Sequence, residues 1–146
     1  MSVTQTVGPV RWSIRTQPRR ASDLREQANE WLAQCGAENG QLQLFALHTS
    51  CGLLITENAD FDVQSDMEMM FQRWAPDGDP AYRHGCEGPD DMPAHLRSIL
   101  TGSALTIPVS AGKLLLGTWQ GVYLYEHRAH PHSRQIAATF VGDLQQ

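Results

Sequence analysis

The last third of the chain is built from apolar runs too short to be helices. Residues 104–109, 114–118, 122–126 and 135–141 are partly β-branched and are separated by turn residues. An amphipathic helix needs about ten residues to develop a face, so runs of this length read as strands. Strands must pair, and the chain is therefore committed to a sheet. Ser110-Ala111-Gly112-Lys113 reads as a hairpin turn between the first two runs. Earlier segments extend the pattern. Over residues 7–16, Val10, Trp12 and Ile14 alternate with Arg11, Ser13 and Arg15. Residues 42–47 form a buried-type run, and residues 52–56 re-enter as a strand after a turn at Thr49-Ser50. Both of these are expected centrally in the sheet.

Three segments carry helical spacing instead. Ser22 is placed to cap a helix in which Leu24, Ala28, Trp31 and Leu32 share a face, with Gly36 as the stop. Residues 61–74 form a second helix whose apolar stripe is Val63, Met67, Met70, Phe71 and Trp74, a stripe expected in the core. A short third helix over 93–100 starts at Pro93, with Asp90 or Asp91 as its cap. Strands and helices in this order predict an α+β fold over residues 1–146, a single compact domain with a largely antiparallel sheet, about three helices and those helices on one side.

Charge narrows the partners. Eleven Lys and Arg against sixteen Asp and Glu give a net charge of -5, which argues against a nucleic-acid-binding face. Ten of the sixteen acids fall between Glu57 and Asp91, opposed only by Arg73 and Arg83, which by itself describes a solvated acidic helix and loop. No apolar run approaches a membrane span, and Met1-Ser2-Val3-Thr4 has no signal-peptide pattern, so no membrane partner is expected. Cys35, Cys51 and Cys86 are odd in number and form no CxxC pair, so a disulfide framework is not expected and the expected compartment is the cytoplasm. Cys51, after His48-Thr49-Ser50, reads as a buried thiol rather than a nucleophile.

Chemistry concentrates in three polar clusters. His84-Gly85-Cys86-Glu87-Gly88-Pro89-Asp90-Asp91-Met92-Pro93-Ala94-His95 holds two imidazoles and three carboxylates in a loop shaped by glycine and proline. His48-Thr49-Ser50, followed by Glu57-Asn58-Ala59-Asp60, lies upstream. Gly117-Thr118-Trp119-Gln120, running on to Glu126-His127, lies downstream. The three are expected to assemble into one site. His48, His84 and His95 form the expected metal set, because catalytic zinc commonly takes three protein ligands and keeps one position open; a nearby carboxylate would orient an imidazole. His48 taken alone reads as a satisfied core histidine. Glu126 shares a strand face with Gln120 and is a candidate base, with Gln120 as donor and acceptor and His48 beside them. Thr49 and Ser50 are candidate ligand-binding residues, Trp119 is a flat wall for a ring, and Arg134 is a clamp for a phosphate or carboxylate. His127, His130 and His132 are assigned to a solvated loop.

The strings HTSCGLLITENADFDVQSDME, HGCEGPDDMPAHLRSILTG and LTIPVSAGKLLLGTWQGVYLYEHR, with the closing Arg134, resemble the YjbQ-type family of small bacterial and archaeal proteins. The likeness runs from about Val10 to Gly142. The family pattern falls on His48, Thr49, Ser50, Glu57, Asn58, Asp60, His84, Asp91, His95, Gly117, Thr118, Gln120, Glu126 and Arg134 without departure; Cys51, Cys86 and Pro89 vary the positions around it. The resemblance implies a compact α+β fold, a homotrimer, and a histidine-lined, metal-binding pocket near subunit contacts. It also implies a secondary thiamine-phosphate synthase activity, joining a pyrimidine pyrophosphate to a thiazole phosphate with release of pyrophosphate. The residues themselves suit slightly better a metal-dependent hydrolase or lyase acting on a small phosphorylated or heterocyclic metabolite, with zinc or else magnesium as the divalent metal. A non-catalytic metal or small-molecule binding protein is the third reading.

Overall fold

The structure, a computed structural model, describes residues 3–146. Eleven elements follow in order: β1 (Gln5–Arg15), β2 (Ala21–Asp23), α1 (Arg25–Cys35), β3 (Ala37–Ala46), β4 (Cys51–Glu57), α2 (Phe61–Trp74), α3 (Asp91–Thr101), β5 (Ala104–Ser110), β6 (Lys113–Leu114), β7 (Gln120–Glu126) and β8 (Ser133–Leu144). Every strand pairing is antiparallel. The expected α+β domain with three helices is what forms, but its strands divide into two sheets. A five-stranded sheet runs β1-β8-β3-β5-β6 and a three-stranded sheet runs β2-β7-β4.

The core lies between them. Leu42, Leu44, Ile136 and Phe140 from the larger sheet meet Cys51, Leu53, Val122 and Leu124 from the smaller one, all fully buried. Helix α1 presses Ala28 and Leu32 into the same core, and Trp31 meets the edge of Trp12 at 6.0 Å between centroids. Helix α2 packs on the outer face of the smaller sheet through Phe71, which meets Tyr125 edge-on at 5.4 Å. The helices therefore do not share one side of one sheet: α1 faces the inter-sheet core, whereas α2 covers the opposite face of β7.

Local rules explain most boundaries. Gly36 ends α1 with φ 70, a conformation that costs glycine little, and its N–H reaches the carbonyls of Leu32 and Ala33. Ala111 and Gly112 both take positive φ in the β5–β6 hairpin, the geometry that suits a two-residue turn. Four expectations are corrected. Ser22 does not cap α1 but pairs with Leu124 in β2, and the helix begins at Arg25 after Leu24. The run 114–118 is not a strand past Leu114; the chain leaves the five-stranded sheet there to reach β7. β4 lies at the edge of its sheet, and only β3 is central. The α2 stripe is not core: Phe71 is buried, but Trp74 is 60% exposed and Met67 and Met70 are half-buried.

Candidate functional site

Helix α3 builds the centre of the site. It begins at Asp91, so Asp91 and His95 are four residues apart on one helical face. The preceding loop brings His84 to the same point. Nε2 of His84 lies 2.7 Å and Nε2 of His95 lies 3.0 Å from one oxygen, Asp91 Oδ2. The two rings meet at 61° with centroids 5.3 Å apart. Among the described residues this is the group of three whose ligand atoms all lie within 4.8 Å of one another.

The hydrogen-bond pattern around His95 has a chemical consequence. Its Nδ1 lies 2.9 Å from the carbonyl of Thr49, which can only accept, so Nδ1 carries a proton. Nε2 of the neutral ring is then a lone pair aimed at a carboxylate oxygen. Asp91 is ionised: burial opposes its charge, but the hydrogen bond from His84 and the charges of His95 and Arg128 hold its pKa below the ordinary value. Two acceptors facing each other at 3.0 Å require a cation between them, either a second proton on His95 or a metal ion. Two imidazole nitrogens and one carboxylate oxygen, with one imidazole oriented by a backbone carbonyl behind it, are a donor set that divalent transition metals take.

Arg128 holds the loop in place. Its guanidinium reaches Asp91 Oδ1 at 3.0 Å, Asp90 Oδ2 at 2.9 Å and the carbonyl of Glu87 at 3.0 Å. Asp90 makes no side-chain cap on α3; its carboxylate accepts from Arg128 and from the Ala129 N–H at 2.9 Å. Burial works against Asp90's charge, yet Arg128 and the Ala129 amide outweigh it and hold its pKa at about 2.

A cavity of about 280 Å³ opens beside His95, lined by His48, Thr49, His95, Ser98, Ile99 and Ser103. His48 stands in this wall and not in the ligand triangle. Its Nε2 accepts the Gln135 N–H at 2.8 Å, which places the proton of the neutral ring on Nδ1. Burial, then the charge of Arg134, lowers its pKa, so at neutral pH it is a neutral hydrogen-bond donor.

The remaining expected site residues are placed elsewhere or already engaged. Glu126 is fully buried; it pairs with Arg134, accepts from Thr16 Oγ1 at 2.6 Å and from the Arg128 N–H at 3.1 Å. Burial disfavours its charge, but the Arg134 and Thr16 hydrogen bonds lower its pKa overall. Arg134 is 5% exposed and also donates to the carbonyl and hydroxyl of Ser50. Glu126, Arg134, Thr16 and Ser50 thus form a buried strut joining the two sheets beneath the cavity. Cys51 is fully buried, and burial pushes its thiol up to about 11, so it is no nucleophile.

Gln120 and Trp119 lie at the far end of β7 from Glu126. Six residues along a strand is about 20 Å, so one chain does not bring them to the histidines. There Gln120 Oε1 accepts the Gly117 N–H at 2.7 Å, Asn58 Nδ2 binds the carbonyls of Thr118 and Gln120, and Trp119 is 64% exposed. Glu57 accepts from the amides of Ala59 and Asp60, and Asp60 caps α2 through the Asp62 N–H. The upstream polar cluster therefore splits, its histidine half joining His95 and its acidic half bracing the opposite end of the sheet.

Histidine spacing alone does not reveal Asp91 as a ligand-type group or Arg128 as its anchor. The signal for Asp91 was present: a helix started two residues before Pro93 puts Asp91 and His95 at i and i+4. Pro93 sits at the third helical position, which needs no backbone donor.

Comparison with known proteins agrees with this architecture. The family model for UPF0047 protein YjbQ-like sequences matches residues 11–143. UPF0047 protein sll1880 of Synechocystis is 41% identical over 131 residues, covering 90% of this chain and 89% of that one. UPF0047 protein YjbQ of Salmonella typhimurium is 49% identical over 106 residues, covering 73% and 76%. An uncharacterised YjbQ/UPF0047 structure from Clostridium acetobutylicum superposes with a TM-score of 0.80 at 32% identity, covering 90% of this chain and 98% of that one. A conserved hypothetical protein from Thermus thermophilus does so with a TM-score of 0.79 at 33% identity, covering 88% and 97%. The chain belongs to the UPF0047, YjbQ-like family.

Proposed function

We propose that this protein is a small-metabolite enzyme in which His84, Asp91 and His95 hold a divalent transition metal, zinc first, at the rim of the His48 cavity; two imidazole nitrogens do not suit magnesium. The observation that carries this reading is the convergence of His84 Nε2, His95 Nε2 and an Asp91 carboxylate oxygen within 4.8 Å of one another, with the Thr49 carbonyl turning His95 Nε2 toward that point. A metal bound there supplies a Lewis acid for a phosphoryl or carbonyl oxygen. The chain's own residues supply orientation: Thr49 fixes the His95 tautomer, Arg128 fixes Asp91, and His48 Nδ1–H is the neutral donor in the cavity wall. This inventory suits a metal-assisted hydrolase or lyase acting on a small phosphorylated metabolite. The thiamine-phosphate synthase activity implied by the resemblance ranks second, because Trp119, the wall for its ring substrate, lies at the other end of β7 within one chain.

The assembly that accompanies this reading is a homotrimer. An exposed apolar band crosses α2 and α3 through Trp74, Ile99 and Leu100, and Ile99 also lines the cavity. A second copy seated on that band would close the site from outside.

Elemental analysis of untagged protein tests the metal. About one zinc per chain is expected, lost in Asp91→Asn and His95→Ala and kept in His48→Gln, with unchanged far-ultraviolet dichroism. Wild-type protein that takes up no metal on reconstitution, or an Asp91→Asn variant that binds as wild type does, would refute the assignment.

A further inference from the structure

A second group of buried nitrogens lies apart from the histidine triangle. Among the described residues, the buried side-chain nitrogens without a hydrogen-bond partner are Arg19 Nε, Arg97 Nε and Nη2, and His127 Nδ1. All belong to one neighbourhood around Tyr125. The Tyr125 ring stacks on His127 at 5.0 Å, and its hydroxyl donates to Glu68 Oε1 at 3.0 Å. Arg97, fully buried, donates to the same oxygen at 2.7 Å and lies 5.7 Å from the Phe71 centroid. An unmade buried hydrogen bond costs about 1–3 kcal/mol, so this neighbourhood is polar beyond what its own pairs satisfy.

Of these residues Arg19, with Glu68 and Tyr125, lines a cleft of about 360 Å³ between α2 and the turn before β2; Arg97 and His127 lie behind it. Arg19, Arg20 and Gln64 give it polar groups, and Phe61 and Met69 give it apolar walls. Its charges do not cancel. Glu68 is matched by Arg97, and Arg19 by Asp77, which leaves Arg20 without an ion-pair partner among the described residues. Arg19 also takes φ 49, a left-handed conformation that costs a side-chain-bearing residue about 1 kcal/mol. Strain of this kind persists where the surroundings enforce it, often at a ligand clamp. None of the lining residues belongs to the histidine triangle or its cavity.

We propose that this cleft binds a small organic anion. Its carboxylate or phosphate head sits on the Arg19 and Arg20 guanidiniums, and its apolar body lies against Phe61 and Met69. Guanidinium forks match both head groups, and the volume is that of a small-ligand site.

Calorimetric titration of metal-free protein, with a chelator present so that no anion binds through a metal, tests the proposal with phenyl phosphate, benzoate and inorganic phosphate. Saturable binding of phenyl phosphate or benzoate is expected at least about tenfold tighter than inorganic phosphate. The better of the two identifies the head group. Arg20→Gln should weaken that binding about tenfold. Arg19→Gly, which keeps the turn because glycine adopts its φ freely, should abolish it. Zinc stoichiometry should stay at the wild-type value in both variants, so this site and the metal site stand or fall separately. No saturable binding at about 10 mM ligand, equal binding of inorganic phosphate, or variants that bind as wild type does would each overturn the proposal.

Discussion

Replacing Asp90 with asparagine keeps the side chain's shape and removes the charge that anchors Arg128. The Asp90 side chain is 8% exposed and accepts from Arg128 Nε and the Ala129 N–H, each at 2.9 Å. These contacts outweigh burial and take its pKa from 3.8 to about 2. That difference corresponds to roughly 2 kcal/mol of folding stability. The folded-state value is the lower one, so the stabilisation is fully present above the unfolded pKa and is lost as pH falls through the folded value. Asp90→Asn should therefore be roughly 2 kcal/mol less stable than wild type at pH 7, and the gap should shrink to about half at pH 3. Urea denaturation of both proteins across this range measures it, and Asp91 is common to both. A gap that stays constant with pH would refute the charge argument. No gap at pH 7 would show that Asp91 alone suffices to hold Arg128.

Three further perturbations probe other parts of the fold. Arg134→Met leaves Glu126 buried beside Thr16 without its cation and should cost about 3–5 kcal/mol in urea denaturation, with part recovered on adding Glu126→Gln; a single variant within 1 kcal/mol of wild type, roughly, would mean that the strut carries little. Ile99→Glu puts a charge on the exposed α3 band and should convert the proposed trimer to monomer in sedimentation, with secondary structure intact; an unchanged mass would place the subunit contact elsewhere. Gly52→Ala introduces a Cβ onto Thr101 Oγ1 and against the Gly102 carbonyl, forcing β4 and the end of α3 apart. A loss of about 1–3 kcal/mol is expected, and a neutral thermal melt would show that α3 yields freely there.

Much of this was legible in the chain. Val10, Trp12 and Ile14 alternate because β1 has one face toward the core, and the apolar spacing of residues 61–74 marks α2 from end to end. What eluded local pattern was choice of partner. β2 is three residues of Ala-Ser-Asp that become a strand only because β7 offers an edge, and nothing in Ser22 distinguishes that from a helix cap. The division into two sheets is likewise a matter of which strand reaches which. For the site, the histidines His84 and His95 were visible as a pair. His48 falls in the expected metal set because composition cannot show that its Nε2 is occupied by a backbone amide 87 residues away. Glu126 and Arg134 have the residue types of catalytic groups; their burial against each other is a tertiary fact.

β7 is buried on both faces. Val122 and Leu124 face the core between the sheets, while Tyr125 and the following His127 meet Phe71 beneath α2. Side chains alternate with a period of two, so losing one residue would exchange Glu126 with His127. The carboxylate would then lie under the aromatic rings of α2, and the imidazole would stand against Arg134. The stretch from Gln120 to His127 consequently has a fixed length, and it acts as a ruler that sets the distance between the Asn58 turn and the Arg128 anchor. Insertions meant to reshape the molecule belong instead around Pro80-Ala81, in the exposed part of the α2–α3 segment ahead of His84.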